Sequence, residues 1–312
     1  MTAMRSATIW CPYPSRRNSL VSVPEVEQRL HEWALAAGLL TEPAIEKRFR
    51  QARFGECAAY SYPDAPDLLV YAKWLTWLFV ADDEFDENRA PAEGGIDRGV
   101  LGLLPLDGAA PVAARTPVTA ALAELWRELA ATMPRPLQER FRRNADEYAR
   151  SYASDLARDR TGAVPDLRAY IELRRLSGAV ETCLDLIERQ PEAYLYPKLA
   201  ADPATRAVRL AANDIICWSN DVFSVAKEFR HGELNNLVTV LHGASGMTWR
   251  GAVETAADMT SARTREFDDL QDRLLAEQGT PALRQFVAGL KAWISGSLDW
   301  HRSSPRYADS LL

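Results

Sequence analysis

The chain has 312 residues, 47% hydrophobic and 26% charged, with 37 Lys+Arg against 43 Asp+Glu for a formal net charge of −6. That balance excludes wholesale disorder, and the mild acidity gives no electrostatic footprint for nucleic acid or an anionic membrane. No apolar run approaches the roughly 20 residues of a membrane span, and Cys11, Cys57, Cys183 and Cys217 lack the pairing of a zinc site or a disulfide framework.

The opening run Ser6–Trp10 is too brief and mixed for a signal peptide, so a soluble cytoplasmic protein is expected. Helix starts are read at Pro24, Asp64–Asp67, Thr116-Pro117, Pro134, Pro165-Asp166, Asp202-Pro203, Thr248 and Thr280-Pro281. In the three pairs ending in proline, the side chain can accept from a first-turn N–H, and proline removes a donor that would be orphaned anyway. Gly38 and Gly162 mark stops.

Over Asp67–Glu87, Leu68, Tyr71, Leu75, Leu78 and Phe79 recur at helical spacing, and Leu69, Val70, Trp74 and Trp77 widen the stripe almost all round. Such a helix belongs inside a bundle. The Pro/Gly/Ala-rich stretch Ala90–Thr116 reads as a loop with a short helix near Gly99–Leu104. Ala204–Arg230 repeats the buried pattern through Val208, Ala211, Ile215, Trp218, Val222 and Val225. No stretch sustains a period of two, so the expectation is an all-α chain of about ten helices forming a single domain over 1–312.

The buried helix ends in Asp82, Asp83, Glu84, Phe85, Asp86 and Glu87. Carboxylates there face the negative end of the helix dipole, and Asp82, Asp83 and Asp86 share one region of the surface. Like charges so grouped call for a cation, and hard oxygen ligands suit Mg2+, especially beside a phosphate. A solvated acidic turn explains the cluster equally well when it is taken alone.

A second set of oxygens follows in W-S-N-D-V-F-S-V-A-K-E. Asn220, Ser224 and Glu228 are spaced four apart, so on a helix they drift only about 40° per step and form a column. Amide, hydroxyl and carboxylate oxygens all suit magnesium. Their neighbours Val222, Phe223, Val225 and Ala226 are apolar, so this is not a generally polar face, although a polar stripe facing water is the alternative that spacing alone leaves open. Facing helices that share inward oxygens resemble the logic of di-metal bundles, but the absence of Glu-x-x-His argues against di-iron.

The D-D-x-x-D of Asp82, Asp83 and Asp86, followed by the N-D-x-x-S-x-x-x-E of Asn220, Asp221, Ser224 and Glu228 with Lys227 before the final glutamate, resembles the motif pair of bacterial class I terpene synthases. That resemblance implies a helical bundle around a central apolar cavity, with three Mg2+ ions bridging both motifs to a diphosphate. It makes Arg174 the diphosphate-sensing arginine, ahead of a helix break at Ser177-Gly178 that turns a carbonyl toward the substrate. It makes Arg306-Tyr307 the C-terminal pair, with Trp300 upstream as a pocket aromatic. Cys11–Ser19 is similar to the family's opening segment, with Ser19 where proline is usual. Residues 1–20 would then cap the bundle, and 303–312 would carry the Arg-Tyr pair. The residues themselves leave other readings open: Arg175 instead of Arg174, a close helix contact at Gly178, or a disordered tail at Arg306-Tyr307.

The implied activity is ionisation of an isoprenyl diphosphate and cyclisation of the carbocation. Farnesyl diphosphate is the first expectation and geranylgeranyl diphosphate the next. Arg174, Lys227, Arg306 and Tyr307 would contact diphosphate oxygens, arginine in bidentate fashion. Phe54, Trp77, Phe79, Trp218 and Trp300 are candidate lining aromatics beside Ser177; each cation–π contact is worth about 0.5–2 kcal/mol, and each ring is equally readable as core. A chain-elongating prenyltransferase should carry a second D-D-x-x-D, which this chain replaces with Asn220, Ser224 and Glu228. A helical scaffold would leave both oxygen clusters unexplained. A homodimer is compatible with everything above.

Overall fold

Helical spacing in the sequence becomes helix in the computed structural model, which describes residues 8–88, 100–109, 111–159, 162, 164–231 and 234–307; the side chains of 83–88, 152–159, 231 and 244–245 lie outside that description. In chain order the helices are α1 Val23–Ala36, α2 Pro43–Ala52, α3 Phe54–Ser61, α4 Leu68–Asn88, α5 Val100–Leu103, α6 Pro117–Ala130 and α7 Arg135–Asp159. They continue as α8 Leu167–Ser177, α9 Val180–Ile187, α10 Pro197–Ala200, α11 Pro203–His231, α12 Leu237–Ser245, α13 Trp249–Gln278 and α14 Pro281–Ser303. Among the described residues there is no strand.

The expected starts hold. Thr116 forms a capping box with Thr119, Asp202 accepts from the N–H of Ala204 at 2.9 Å, and Thr280 accepts from Leu283 at 3.2 Å. Gly38 and Gly162 take positive φ just past α1 and α7, as helix stops do. Among the described residues fourteen α-helices stand where about ten helices were expected, and two of the extra boundaries have one cause. Arg53 and Ala179 each sit at φ 55°, splitting α2 from α3 and α8 from α9. Neither position carries the glycine or proline that would announce a break in the sequence.

α4 is buried on most sides through Tyr71, Trp74, Leu75, Trp77, Leu78 and Ala81. α11 packs against α8, α12, α13 and α14, so both long apolar helices are interior elements of one continuous core. A buried ionic cluster ties α7, α9 and α11 together. Arg140 and Arg209 both bond Asp185 at 2.7 Å, and Arg209 reaches Glu188 at 3.3 Å. Removing one partner of such a cluster costs about 3–5 kcal/mol, because a buried charge is left uncompensated. The N-terminal segment runs over this framework: Asn18 donates to Tyr62 O at 3.1 Å and Ala65 O at 2.8 Å, and Tyr13 donates to Asp268 at 2.8 Å. Among the described residues no helix is long and apolar enough to cross a membrane.

Candidate active site

Two helix faces meet at a cavity of about 170 Å³. From α4 come Leu75, Leu78, Phe79 and Asp82, spaced as i, i+3, i+4 and i+7, which is a single helical face with its acid at the mouth end. From α11 come Ile216, Cys217, Asn220 and Glu228. The first acid of the first motif and the two ends of the second oxygen column, Asn220 and Glu228, therefore line the same hollow, while Ser224 between them does not. The side chains of Asp83 and Asp86 lie outside the described residues.

Arg174 enters the cavity from α8 and fixes the orientation of the second motif. Its Nε donates to Asp221 Oδ1 at 2.9 Å, and its Nη2 donates to Asn220 Oδ1 at 3.0 Å. Asp221 is fully buried and also accepts from Tyr170 OH and from the N–H of Leu237 at 2.7 Å. Arginine can only donate, so the Asn220 oxygen must face it and the amide nitrogen must point the other way. There Asn220 donates to Tyr307 OH at 3.1 Å and to His301 Nε2 at 3.0 Å. His301 must then accept at Nε2, which requires a neutral ring protonated at Nδ1. Burial, with Arg306 and Arg174 nearby, pushes its pKa down to about 3, which agrees. Arg175 turns away and pairs with Asp214 at 2.7 Å, so of the two arginines it is Arg174 that faces the cavity.

Ser224 completes the column with a buried Oγ that makes no hydrogen bond of ordinary geometry among the described residues, although it lies close enough to Glu228 to pull that carboxyl's pKa down. A buried hydroxyl left unsatisfied is costly unless something binds it. Glu228 accepts from Asn236 at 2.8 Å, and burial followed by the charge of Asp221 raises its pKa against the opposing pull of Arg174. An amide oxygen, an orphaned hydroxyl and a carboxylate in one column fit a hard divalent cation. Lys227, half-buried, stands one residue before Glu228 and does not line the cavity.

The wall beside α11 is the α8–α9 break, where Ser177, Gly178, Ala179 and Val180 all line the cavity. Gly178 itself is unstrained at φ −73°; the left-handed residue is Ala179, at a cost of about 1–2 kcal/mol relative to a helical conformation. Glycine is needed at 178 for another reason: a Cβ there would overlap the sulfur of Cys217. Close helix approach is thus the reason for the glycine, and the kink sits one residue later than the Ser177-Gly178 break read from the sequence.

Of the five aromatics read as lining, Phe79 and Trp300 line the cavity, while Phe54, Trp77 and Trp218 do not. The indole of Trp77 donates to Val118 O at 2.9 Å and stacks on Trp74, so it belongs to the α4–α6 contact. Trp218 is two residues from Asn220, about 200° round α11, and is buried in the core. Phe54 stands behind the wall, stacked on Phe79 with centroids 5.0 Å apart. Tyr148 and Trp293 take the vacant places, along with Cys57, Cys183, Ser297 and His301, none of which the sequence reading singled out for the site. Arg306 stands 4.8 Å over the Phe79 ring and does not itself line this cavity.

Residues 73–266, more than half of the chain, match the family described as "Terpene synthase family 2, C-terminal metal binding". The chain is 33% identical to (+)-T-muurolol synthase ((2E,6E)-farnesyl diphosphate cyclizing) of Roseiflexus castenholzii, over 91% of this chain and 88% of that protein. It is 31% identical to 4-epi-cubebol synthase ((2E,6E)-farnesyl diphosphate cyclizing) of Streptosporangium roseum, over 98% and 93% respectively. Among solved structures, linalool/nerolidol synthase from Streptomyces clavuligerus matches with a TM-score of 0.84 at 25% identity, covering 95% of this chain and 100% of that one.

Proposed function

The chain belongs to the terpene synthase family, in its bacterial class I form, and on that premise we propose that it cyclises farnesyl diphosphate in a Mg2+-dependent reaction. The observation that carries this reading is that Asp82, Arg174, Asn220 and Glu228 line one cavity whose remaining wall is largely apolar and aromatic. The choice of a C15 substrate is supported by the two relatives described as farnesyl diphosphate cyclizing.

In this reading Asp82, Asp83 and Asp86 from α4 and Asn220, Ser224 and Glu228 from α11 hold the metal, three ions being the number the family resemblance implies. Bound Mg2+ supplies Lewis-acid neutralisation of the charge that develops on the departing diphosphate. Arg174, Lys227 and Arg306 donate to diphosphate oxygens, with Tyr307 beside them, and so stabilise the leaving group where its charge grows. Breaking the allylic C–O bond releases the diphosphate and leaves a carbocation, with no protein base required to begin. Leu75, Leu78, Val180 and Ile216 exclude water from that cation, while the faces of Phe79, Tyr148, Trp293 and Trp300 stabilise it without attacking it. The family resemblance implies in addition that the α8 break turns a backbone carbonyl toward the substrate.

The test is incubation with geranyl, farnesyl and geranylgeranyl diphosphate and Mg2+, followed by mass spectrometry of organic extracts. Cyclic C15 products from farnesyl diphosphate are expected, lost when Mg2+ is chelated. Simple hydrolysis with all three substrates would overturn the assignment.

A further inference from the structure

α11 carries a second column beside the metal-facing one. Arg209, Asn213, Cys217 and Asp221 are also spaced four apart, and each meets the α8–α9 segment in turn. Asp221 holds the Arg174 side chain, Cys217 lies against Gly178 and Arg174 O, and Arg209 donates to Glu181 O at 2.6 Å. Between them Asn213, fully buried, spans the break itself. Its Nδ2 donates to Arg175 O at 3.1 Å, in the last turn of α8, and to Glu181 Oε1 at 2.8 Å, in the first turn of α9.

The break creates the need for this contact. Ending α8 at Ser177 orphans its last carbonyls, and only some are recovered locally, by Gly178 N–H to Arg174 O at 3.0 Å and Ala179 N–H to Leu176 O at 3.4 Å. Arg175 O is taken by Asn213. Ala179, left-handed without glycine, persists because both flanking turns are held from outside. We infer that Asn213 is a positioning residue: by bridging α8 to α9 it fixes the shape of residues 177–180, the cavity wall against which the carbocation folds. The inference rests on the cyclase reading above for its consequence on products, but the bridge itself is testable without substrate.

Two readouts separate the claims. In Asn213→Leu, amide hydrogen exchange over residues 178–182 is expected to accelerate about tenfold or more, with α13 unchanged. With farnesyl diphosphate, the ratio of cyclic to acyclic products should fall about tenfold while KM stays within about threefold, because the diphosphate contacts are untouched. Asn213→Ser, smaller and with a single donor hydrogen, cannot span both acceptors and should show the same local change if the leucine variant does not fold. Exchange over 178–182 equal to wild type, or accelerated equally throughout the protein, would overturn the bridge. Local acceleration with an unaltered product ratio would overturn its role in shaping products. A wild-type protein inactive on every isoprenyl diphosphate would instead defeat the cyclase reading and leave the exchange result to stand alone.

Discussion

Asn220→Ala is expected to lower kcat by about 10³-fold or more, equivalent to about 4 kcal/mol of transition-state stabilisation, while the protein remains folded. Asn220 lines the cavity at the head of the oxygen column, and its removal takes one proposed metal ligand and the acceptor for Arg174 Nη2. The loss of stability should be moderate, because Arg174 keeps its contact with Asp221 at 2.8 Å. Tyr307 OH and His301 Nε2, both buried, each lose one neutral partner, a loss of about 1–3 kcal/mol apiece where no water takes its place. Steady-state diphosphate release with thermal unfolding measures both quantities. Undiminished turnover would remove the column from the site.

Asp221→Leu should lose stability by another route. Asp221 is buried and is the only described carboxylate paired with Arg174, and it also accepts from Tyr170 OH and Leu237 N–H. Replacing it leaves a cation, a hydroxyl and an amide without their acceptor. The expected loss is about 3–5 kcal/mol, lowering the melting temperature by about 5–10 °C, together with loss of turnover as Arg174 is released. A wild-type melting temperature would show that Arg174 does not depend on this pair. Asp221 therefore stands one step behind the proposed metal ligands: it sits in the motif, and its oxygens are occupied by protein donors.

How much of this was legible in the sequence follows from what each signal encodes. The helices and their proline-marked starts are local, so Thr116, Asp202 and Thr280 announce themselves. The two oxygen clusters are local too, and their helical phase places Asp82 and Asn220 on definite faces. The same phase argument, carried further, identifies Leu75, Leu78 and Phe79 as cavity residues and excludes Trp77, which lies about 200° from Phe79. Aromatic character alone misled for Trp77 and Trp218, since indoles serve the core as readily as a cavity. Tyr148, Cys183, Trp293 and His301 were not legible because they come from α7, α9 and α14, and only tertiary packing brings them to one hollow. The break at Ala179 was displaced by one residue for a similar reason. The glycine answers to Cys217 across the helix contact, and the left-handed turn is held by α11.

The most direct test of the shared metal–diphosphate assembly is anomalous diffraction from crystals soaked in Mn2+ and inorganic diphosphate. The account predicts anomalous peaks bonded to Ser224 Oγ, Asn220 Oδ1 and the Glu228 carboxylate, with further density at Asp82 and diphosphate between them. Peaks confined to surface carboxylates, with Ser224 Oγ still without a ligand, would contradict it.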